Sequence, residues 1–276
     1  MIPPLSKTEF ELFRQLIRKH TGISFFQRNV ATLQRKLVAR MSQLGIDSYR
    51  GYHHYLLHDK NGGWELRQLI NRITVDQTAF FRHEKQFEHL ANIILPQIIE
   101  HKTTKKLRIW SAGCATGKEP YSIAMVVNDT LKETDSWDIK ILASDIDTDA
   151  LKVAYNGSYT SRDVEGTPTE YLKRYFVKES GQDKGVYTVK DELKRHIVFR
   201  RLNFINAEFP FKSPVDIIFC RNVMIYFDSQ FKKTLIASLY RLLEEDGFLC
   251  LGASESLIGI DKRFVLVGHS TYQKQG

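Results

Sequence analysis

The chain has 276 residues, 42% of them apolar and 26% charged, with a net charge of +8. These figures fit one or two globular domains with a sizeable core; they exclude a membrane-spanning chain, because no apolar run approaches the roughly 18 residues a span needs. Three scattered cysteines, Cys114, Cys220 and Cys250, make neither a disulfide framework nor a zinc site, so they read as buried free thiols in a cytoplasmic protein.

The opening heptad, Met-Ile-Pro-Pro-Leu-Ser-Lys, carries no signal-peptide h-region. Residues 1–70 hold eleven Lys/Arg against five acids, a net +6, so most of the charge excess lies in the first quarter of the chain. A basic front suits an acidic partner (nucleic acid, membrane surface or acidic protein), or it is simply a solvated helical surface. Ser6 and Glu9 have capping-box spacing, and Phe10, Phe13, Leu16 and Ile17 follow with helical periodicity up to Thr21-Gly22. A second helix is predicted over 29–44, with Val30, Leu33, Leu37 and Met41 on one face and Gly45 as its stop. Arg28, Arg35, Lys36 and Arg40 spread over its other surfaces. Two more helices are predicted over 48–57 and 63–73.

The pattern breaks at 71–83. A helix over 86–100, striped by Phe87, Leu90, Ile94 and Ile98, leads through a basic loop to residue 107. Strand and helix then alternate: strands over 107–110, 139–143, 197–202, 215–219 and 248–251, helices over 119–131, 147–154 and 229–243, and a closing hairpin over 264–267 and 270–273. That alternation predicts an α/β fold with a mostly parallel, doubly wound sheet and an antiparallel edge. Glycines and Pro168 interrupt it between 155 and 200. There Phe176–Lys178 and Val186–Val189 read as paired strands, with 197–200 as a third strand of a small antiparallel sheet. The insertion is either structural or an edge on which a partner peptide adds a strand.

Four features gather at the C-terminal ends of the strands, where open α/β sheets bind ligands. The first is the small-residue turn Ala112 to Gly117 with Glu119 behind it. Its backbone N–H groups suit the polar tail of an adenosine cofactor, and the missing Gly-Lys-Ser/Thr ending excludes a triphosphate loop. The turn alone does not separate a dinucleotide from S-adenosylmethionine. The second is Asp145, an acid at a strand end that can accept both ribose hydroxyls; Asp147 reads as a helix N-cap. The third is Asn203, whose amide can both donate to and accept from an adenine edge. The fourth is 219–227, Phe-Cys-Arg-Asn-Val-Met-Ile-Tyr-Phe, where polar residues sit among apolar ones.

These residues carry a family resemblance. The segments 78–82 (Thr-Ala-Phe-Phe-Arg), 112–122 (Ala-Gly-Cys-Ala-Thr-Gly-Lys-Glu-Pro-Tyr-Ser), 143–147 (Ala-Ser-Asp-Ile-Asp), Asn203, 219–227 and 252–255 (Gly-Ala-Ser-Glu) resemble, in order and over nearly the whole chain, the CheR-type chemotaxis receptor methyltransferases. The resemblance implies an N-terminal all-helical domain (1–75), a linker and lead-in helix (76–106), and a Rossmann-like class I S-adenosylmethionine-dependent methyltransferase domain (107–276) with an inserted β-subdomain at about 157–200. It implies methyl transfer to glutamate carboxylates of chemoreceptors in the cytoplasm at receptor arrays, leaving S-adenosylhomocysteine, with no metal. It assigns Asp76, Thr78, Arg82, Gly113, Glu119, Asp145, Asn203, Arg221 and Asn222 to the cofactor. Glu119 and Thr78 take its amino-acid part, Asp145 its ribose and Asn203 its adenine. Arg82, Arg221 and Tyr226 line the place where methyl donor and glutamate meet, with Arg82 and Tyr226 catalytic. The family often has Asn where Asp76 stands here and His where Ala253 stands.

Under this reading Arg28, Arg35, Lys36 and Arg40 steer a glutamate-rich receptor helix, and the inserted sheet is a place for a receptor C-terminal peptide. Nucleic acid and membrane insertion are excluded as partners. The alternatives are a methyltransferase of nucleic acid, one of small carboxylic acids, and a non-catalytic S-adenosylmethionine-sensing module. Base methyltransferases often carry Asn/Asp-Pro-Pro-Tyr/Phe after the fourth strand, where this chain has a cation, Arg221.

Overall fold

The Ser6 hydroxyl accepts the backbone N–H of Glu9, and the Glu9 carboxylate accepts that of Ser6, so the capping box forms and starts helix α1 (Lys7–Thr21). Gly22, at φ 75°, ends it in the left-handed conformation. Helices α2 (Val30–Leu44), α3 (Tyr49–His58) and α4 (Gly62–Ile73) follow. The structure is a computed structural model that describes residues 2–25, 29–74, 77–131, 134–179, 185–206, 209 and 211–275. The chain forms two compact units. The first holds α1 to α4 together with Asn203–Ala207 and Tyr226–Lys232; the second holds the remainder.

The helical unit packs on Phe13, Ile17, Leu33, Leu37, Met41, Tyr52 and Leu69, all fully buried. At its centre lies Glu65, 0% exposed, which accepts from Arg40 Nε (2.8 Å), Arg40 Nη2 and the Tyr52 hydroxyl (2.6 Å). Two later pieces of chain are woven into this unit. Ile23 bridges Phe227, Ser24 N–H donates to the Tyr226 carbonyl (2.8 Å), and Arg18 pairs with Asp228 (2.6 Å). The Phe231 ring sits over Gly22, where a Cβ would come within 3.0 Å of it.

The second unit begins with α5 (Glu84–His89), a π-helical turn over Leu90–Ile94, and α6 (Leu95–His101). The sequence predicts one helix here. Pro96 near the start of α6 has no N–H to return to the preceding turn, and the wider π turn just before it absorbs the break. Strands β1 (Lys106–Ala112) and β2 (Asp138–Asp145) pair in parallel, joined by α7 (Lys118–Thr130), and α8 (Thr148–Asn156) follows with Asp147 as its N-cap. The inserted region carries β3 (Ser158–Thr160), α9 (Thr169–Tyr175), β4 (Phe176–Lys178), β5 (Val186–Val189) and α10 (Asp191–Lys194). Then come β6 (Ile197–Arg201), β7 (Val215–Cys220), α11 (Ser229–Leu242), β8 (Leu243–Leu251) and the hairpin β9 (Phe264–Gly268) and β10 (Thr271–Lys274).

The main sheet has the order β6-β2-β1-β7-β8-β10-β9, with β10 antiparallel to its neighbours. Every residue of β7 is buried, as expected of a central strand covered on both faces. The small sheet is antiparallel with the order β3-β5-β4. Its third strand is thus β3, not the predicted 197–200, which belongs to β6 and pairs in parallel with β2 from Ile141↔Ile197 onward. Three residues after Gly157 are too short a strand to leave a periodic signal, whereas Ile197-Val198-Phe199 is apolar enough to suit either sheet. All three cysteines are free and buried, and burial pushes their thiols up.

Candidate active site

Parallel pairing brings the C-terminal ends of β2, β1, β7 and β8 side by side, with Ala112 opposite Ser144, Ser111 opposite Phe219 and Cys220 opposite Leu251. The turn after β1 has left-handed residues at Gly113 (φ 89°), Ala115 (φ 46°) and Gly117 (φ 88°). The sequence predicts that its N–H groups face a ligand. Instead Gly113 and Cys114 both donate to the Ser144 carbonyl (2.8 and 2.9 Å), Gly117 to the Cys114 carbonyl (2.9 Å), and Ala115 to Asp145 Oδ2 (2.8 Å). A side chain at Gly113 would overlap Val223. The glycine therefore serves the approach of the loop after β7.

Asp145 ends β2. Its Oδ1 accepts from Asp147 N–H (2.9 Å), so each oxygen holds one backbone donor and retains a lone pair. Burial pushes its carboxyl above the usual range, and the Asp147 and Ala115 N–H bonds oppose this. Glu119 lies in the first turn of α7, only 9% exposed. Its Oε1 accepts from the Ser111 hydroxyl (2.7 Å), and its Oε2 lies 3.1 Å from Arg221 Nε. Burial raises the Glu119 carboxyl, against the pull of Arg221.

Arg221, which the resemblance assigns to the cofactor and to the place where methyl donor and glutamate meet, is buried. Its Nη1 donates to Gln86 Oε1 (3.0 Å), its Nη2 to the Arg82 carbonyl, and its guanidinium lies over the Phe87 ring. Arg82 itself is exposed and donates from Nη1 to the Gln77 carbonyl (3.1 Å). It is flanked by left-handed Phe81 (φ 51°) and His83 (φ 63°), a conformation uncommon for side-chain-bearing residues. Phe81 N–H is anchored to the Ser122 hydroxyl (3.0 Å), and Phe80 packs edge-on to Tyr159 and Phe176 of the small sheet. Thr78 is half-buried in the same segment.

Asn222 is left-handed too (φ 58°). Its N–H donates to Glu255 Oε2 (2.7 Å), which also takes the Gly252 N–H (2.8 Å), while Glu255 Oε1 takes the Ile225 N–H (3.3 Å). Glu255 thus ties the loop after β7 to the loop after β8. Sequence reasoning matched Glu255 only as part of a motif and missed Gln86, Ser111 and Ser122. A polar residue inside an otherwise apolar helix stripe, Gln86 beside Phe87, is the signal that was available.

Asn203 and Tyr226 belong to the helical unit. The Asn203 amide donates to the His20 carbonyl (2.6 Å) and accepts from Ile205 N–H (3.2 Å), leaving one donor and one lone pair for any other ligand. Of the residues read as a docking surface, Arg35 is exposed, Lys36 donates to the Ile73 carbonyl (3.0 Å), and Arg40 is buried against Glu65, which corrects its assignment. Desolvating Glu65 requires a cation beside it, and Arg40 is that cation. Arg28 and Asp76 lie outside the described residues. Among the described residues no three His, Cys, Asp or Glu side chains group to hold a metal, and no helix is long and apolar enough to cross a membrane.

The sheet order, the antiparallel β10 and the loops at the strand ends define a Rossmann-like methyltransferase fold. Residues 8–74 match the CheR methyltransferase all-alpha domain and residues 76–273 the CheR methyltransferase SAM binding domain, SAM being S-adenosylmethionine. The chain is 35% identical over 271 residues to the chemotaxis protein methyltransferase of Escherichia coli (strain K12), covering 97% of this chain and 91% of that protein. It is 36% identical to chemotaxis protein methyltransferase 2 of Vibrio cholerae (94% and 89% covered) and 32% identical to the chemotaxis protein methyltransferase of Borreliella burgdorferi (98% and 95%). The chain belongs to the CheR methyltransferase family, and its second domain is that family's S-adenosylmethionine-binding domain.

Proposed function

We propose that this protein methylates glutamate side chains of chemoreceptor cytoplasmic helices, forming methyl esters in chemotactic adaptation. The relatives' role in chemotaxis supports the setting. The observation that carries the chemistry is the exposed Arg82 guanidinium, set between left-handed Phe81 and His83, with the Arg82 carbonyl held by Arg221, the charge partner of Glu119. The residues present fit the cofactor. Asp145 keeps lone pairs for a ribose diol, and Glu119, buried and desolvated, suits an ammonium group. When bound, S-adenosylmethionine supplies an electrophilic methyl group on a sulfonium.

A glutamate is already ionised at neutral pH, so the protein has no proton to remove. Its task is to align the carboxylate at near-attack distance and to exclude water. Arg82 does this by a charge-assisted hydrogen bond that orients the anion without quenching it. Tyr226 is the second catalytic candidate, on the family resemblance alone, as is Thr78 for the amino-acid end of the cofactor. Asn203 is proposed for the adenine, and Asn222 and Gly113 shape the pocket through backbone alone. Among the described residues of the docking set, Arg35 is the exposed cation.

The direct test incubates the protein with methyl-labelled S-adenosylmethionine and receptor-bearing membranes. Base-labile label released as volatile methanol is expected; stable label on nucleic acid would sink the reading. Arg82→Ala is expected to lower kcat about a hundredfold, the scale of a lost positioning contact, with S-adenosylhomocysteine affinity changing less. Equal losses in both would move Arg82 to the cofactor. Arg35→Glu is expected to raise KM for receptor severalfold at low salt and to leave cofactor affinity unchanged. A KM insensitive to both charge and salt would remove the docking role.

A further inference from the structure

Gln86 is 2% exposed, and its side chain makes more contacts than packing requires. Its Nε2 donates to the carbonyls of His269 (2.9 Å) and Leu251 (3.2 Å), at the β9–β10 turn and the end of β8. Those two bonds fix the amide's orientation, so that Oε1 points the other way and accepts from Arg221 Nη1 (3.0 Å).

Arg221 needs such a hold. Its Nε lies 3.1 Å from Glu119 Oε2, yet that N–H is not aimed at the oxygen and has no hydrogen-bond partner among the described residues. The pair is a charge contact without the bidentate fork that usually locks an arginine onto a carboxylate. The guanidinium is therefore kept in place from its far side, by Gln86 and the Arg82 carbonyl. With its side chain only 2% exposed, Arg221 has no solvent route to the same position.

We propose that Gln86 is a positioning residue for cofactor binding: it holds the Arg221 guanidinium against Glu119, and through Glu119 it acts on the cofactor's ammonium group. The inference rests on the reading of Glu119 as the partner of that ammonium. An Arg221 released from Gln86 swings out of register with Glu119. Glu119 is then a desolvated acid that keeps its hydrogen bond from Ser111 but not its nearest cation, and it loses the charge that an ammonium requires. Glu255 and Arg82 are the other charged groups that face Glu119, and neither replaces the contact.

The test is a double-mutant cycle on binding, by titration calorimetry with the full chain. The probes are S-adenosylhomocysteine, which carries the amino-acid end, and methylthioadenosine, which lacks it. Gln86→Met, close in shape but without the amide, is expected to weaken S-adenosylhomocysteine about tenfold, the scale of a lost bond to a charged group, and to leave methylthioadenosine unchanged. Glu119→Gln weakens S-adenosylhomocysteine likewise, and the double variant is no weaker than Glu119→Gln alone. Losses that multiply, or a Gln86→Met variant that loses both ligands equally, would mean that Gln86 only packs, and would overturn the inference while leaving Glu119 in place. A Glu119→Gln variant with normal affinity would overturn the reading of Glu119 and the inference with it. Should Gln86→Met fold poorly, Gln86→Asn keeps an amide in the pocket but draws it back from Arg221, with the same selective loss expected.

Discussion

Replacing Asp145 with alanine is expected to weaken S-adenosylhomocysteine binding by at least about a hundredfold. The ribose diol would lose two charge-assisted hydrogen bonds, worth about 1.5–3 kcal/mol each, and a tenfold change corresponds to about 1.4 kcal/mol. The structure adds a second loss. Asp145 Oδ2 holds the Ala115 N–H and Oδ1 the Asp147 N–H, so alanine also frees the turn after β1 from the end of β2. Ala115 is left-handed, and an unpinned turn relaxes away from that conformation. Asp145→Asn separates the two effects. It retains one backbone acceptor and turns an N–H₂ toward the other donor, so binding falls between wild type and Asp145→Ala. Calorimetric affinity of Asp145→Ala within threefold of wild type, with unfolding unchanged, would take Asp145 out of the ribose role.

Arg40→Met is expected to destabilise the helical unit by about 3–5 kcal/mol, the cost of leaving a buried charge without its partner. Glu65 is 0% exposed and would keep only the Tyr52 hydroxyl, at 2.6 Å. The urea midpoint of the helical unfolding signal reports the loss. The receptor KM of the still-folded fraction should be unchanged, since Arg40 presents no charge to a partner. An unshifted midpoint together with a raised KM would restore Arg40 to the docking surface. Arg35→Glu makes the opposite pattern, altered KM with an unaltered midpoint, because Arg35 is exposed one turn earlier on the same helix.

The contrast between Arg35 and Arg40 shows where one-dimensional reading ends. Periodicity locates the apolar face of α2 from Val30, Leu33, Leu37 and Met41, of which the last three are buried and Val30 is half-buried. It cannot show that Arg40, at the border of that face, meets an acid 25 residues away inside the core. The same limit applies to the turn 113–117. Its small residues announce a close approach, yet the approaching group is Val223, and the N–H groups of Gly113, Cys114, Ala115 and Gly117 go to Ser144, Cys114 and Asp145. The small sheet tells the same story, since strand partners are a long-range choice and β3 has three residues to advertise itself.

The sequence by itself determined the order of the main strands and helices outside 155–200, the capping of α1 and α8, the parallel alternation that makes the sheet, and the motifs that place this chain in its family. These are local properties: hydrogen bonds within a turn, side-chain period and residue size act over a few positions and are written there. Tertiary structure alone decided which charges face water and which face each other. It set Arg221 as the buried charge partner of Glu119, moved Arg40 from surface to core, and drew Gln86 and Glu255 into the site. The physical reason is desolvation, whose cost depends on everything packed around a group, and the distant strands and loops that pay it have no fixed spacing along the chain.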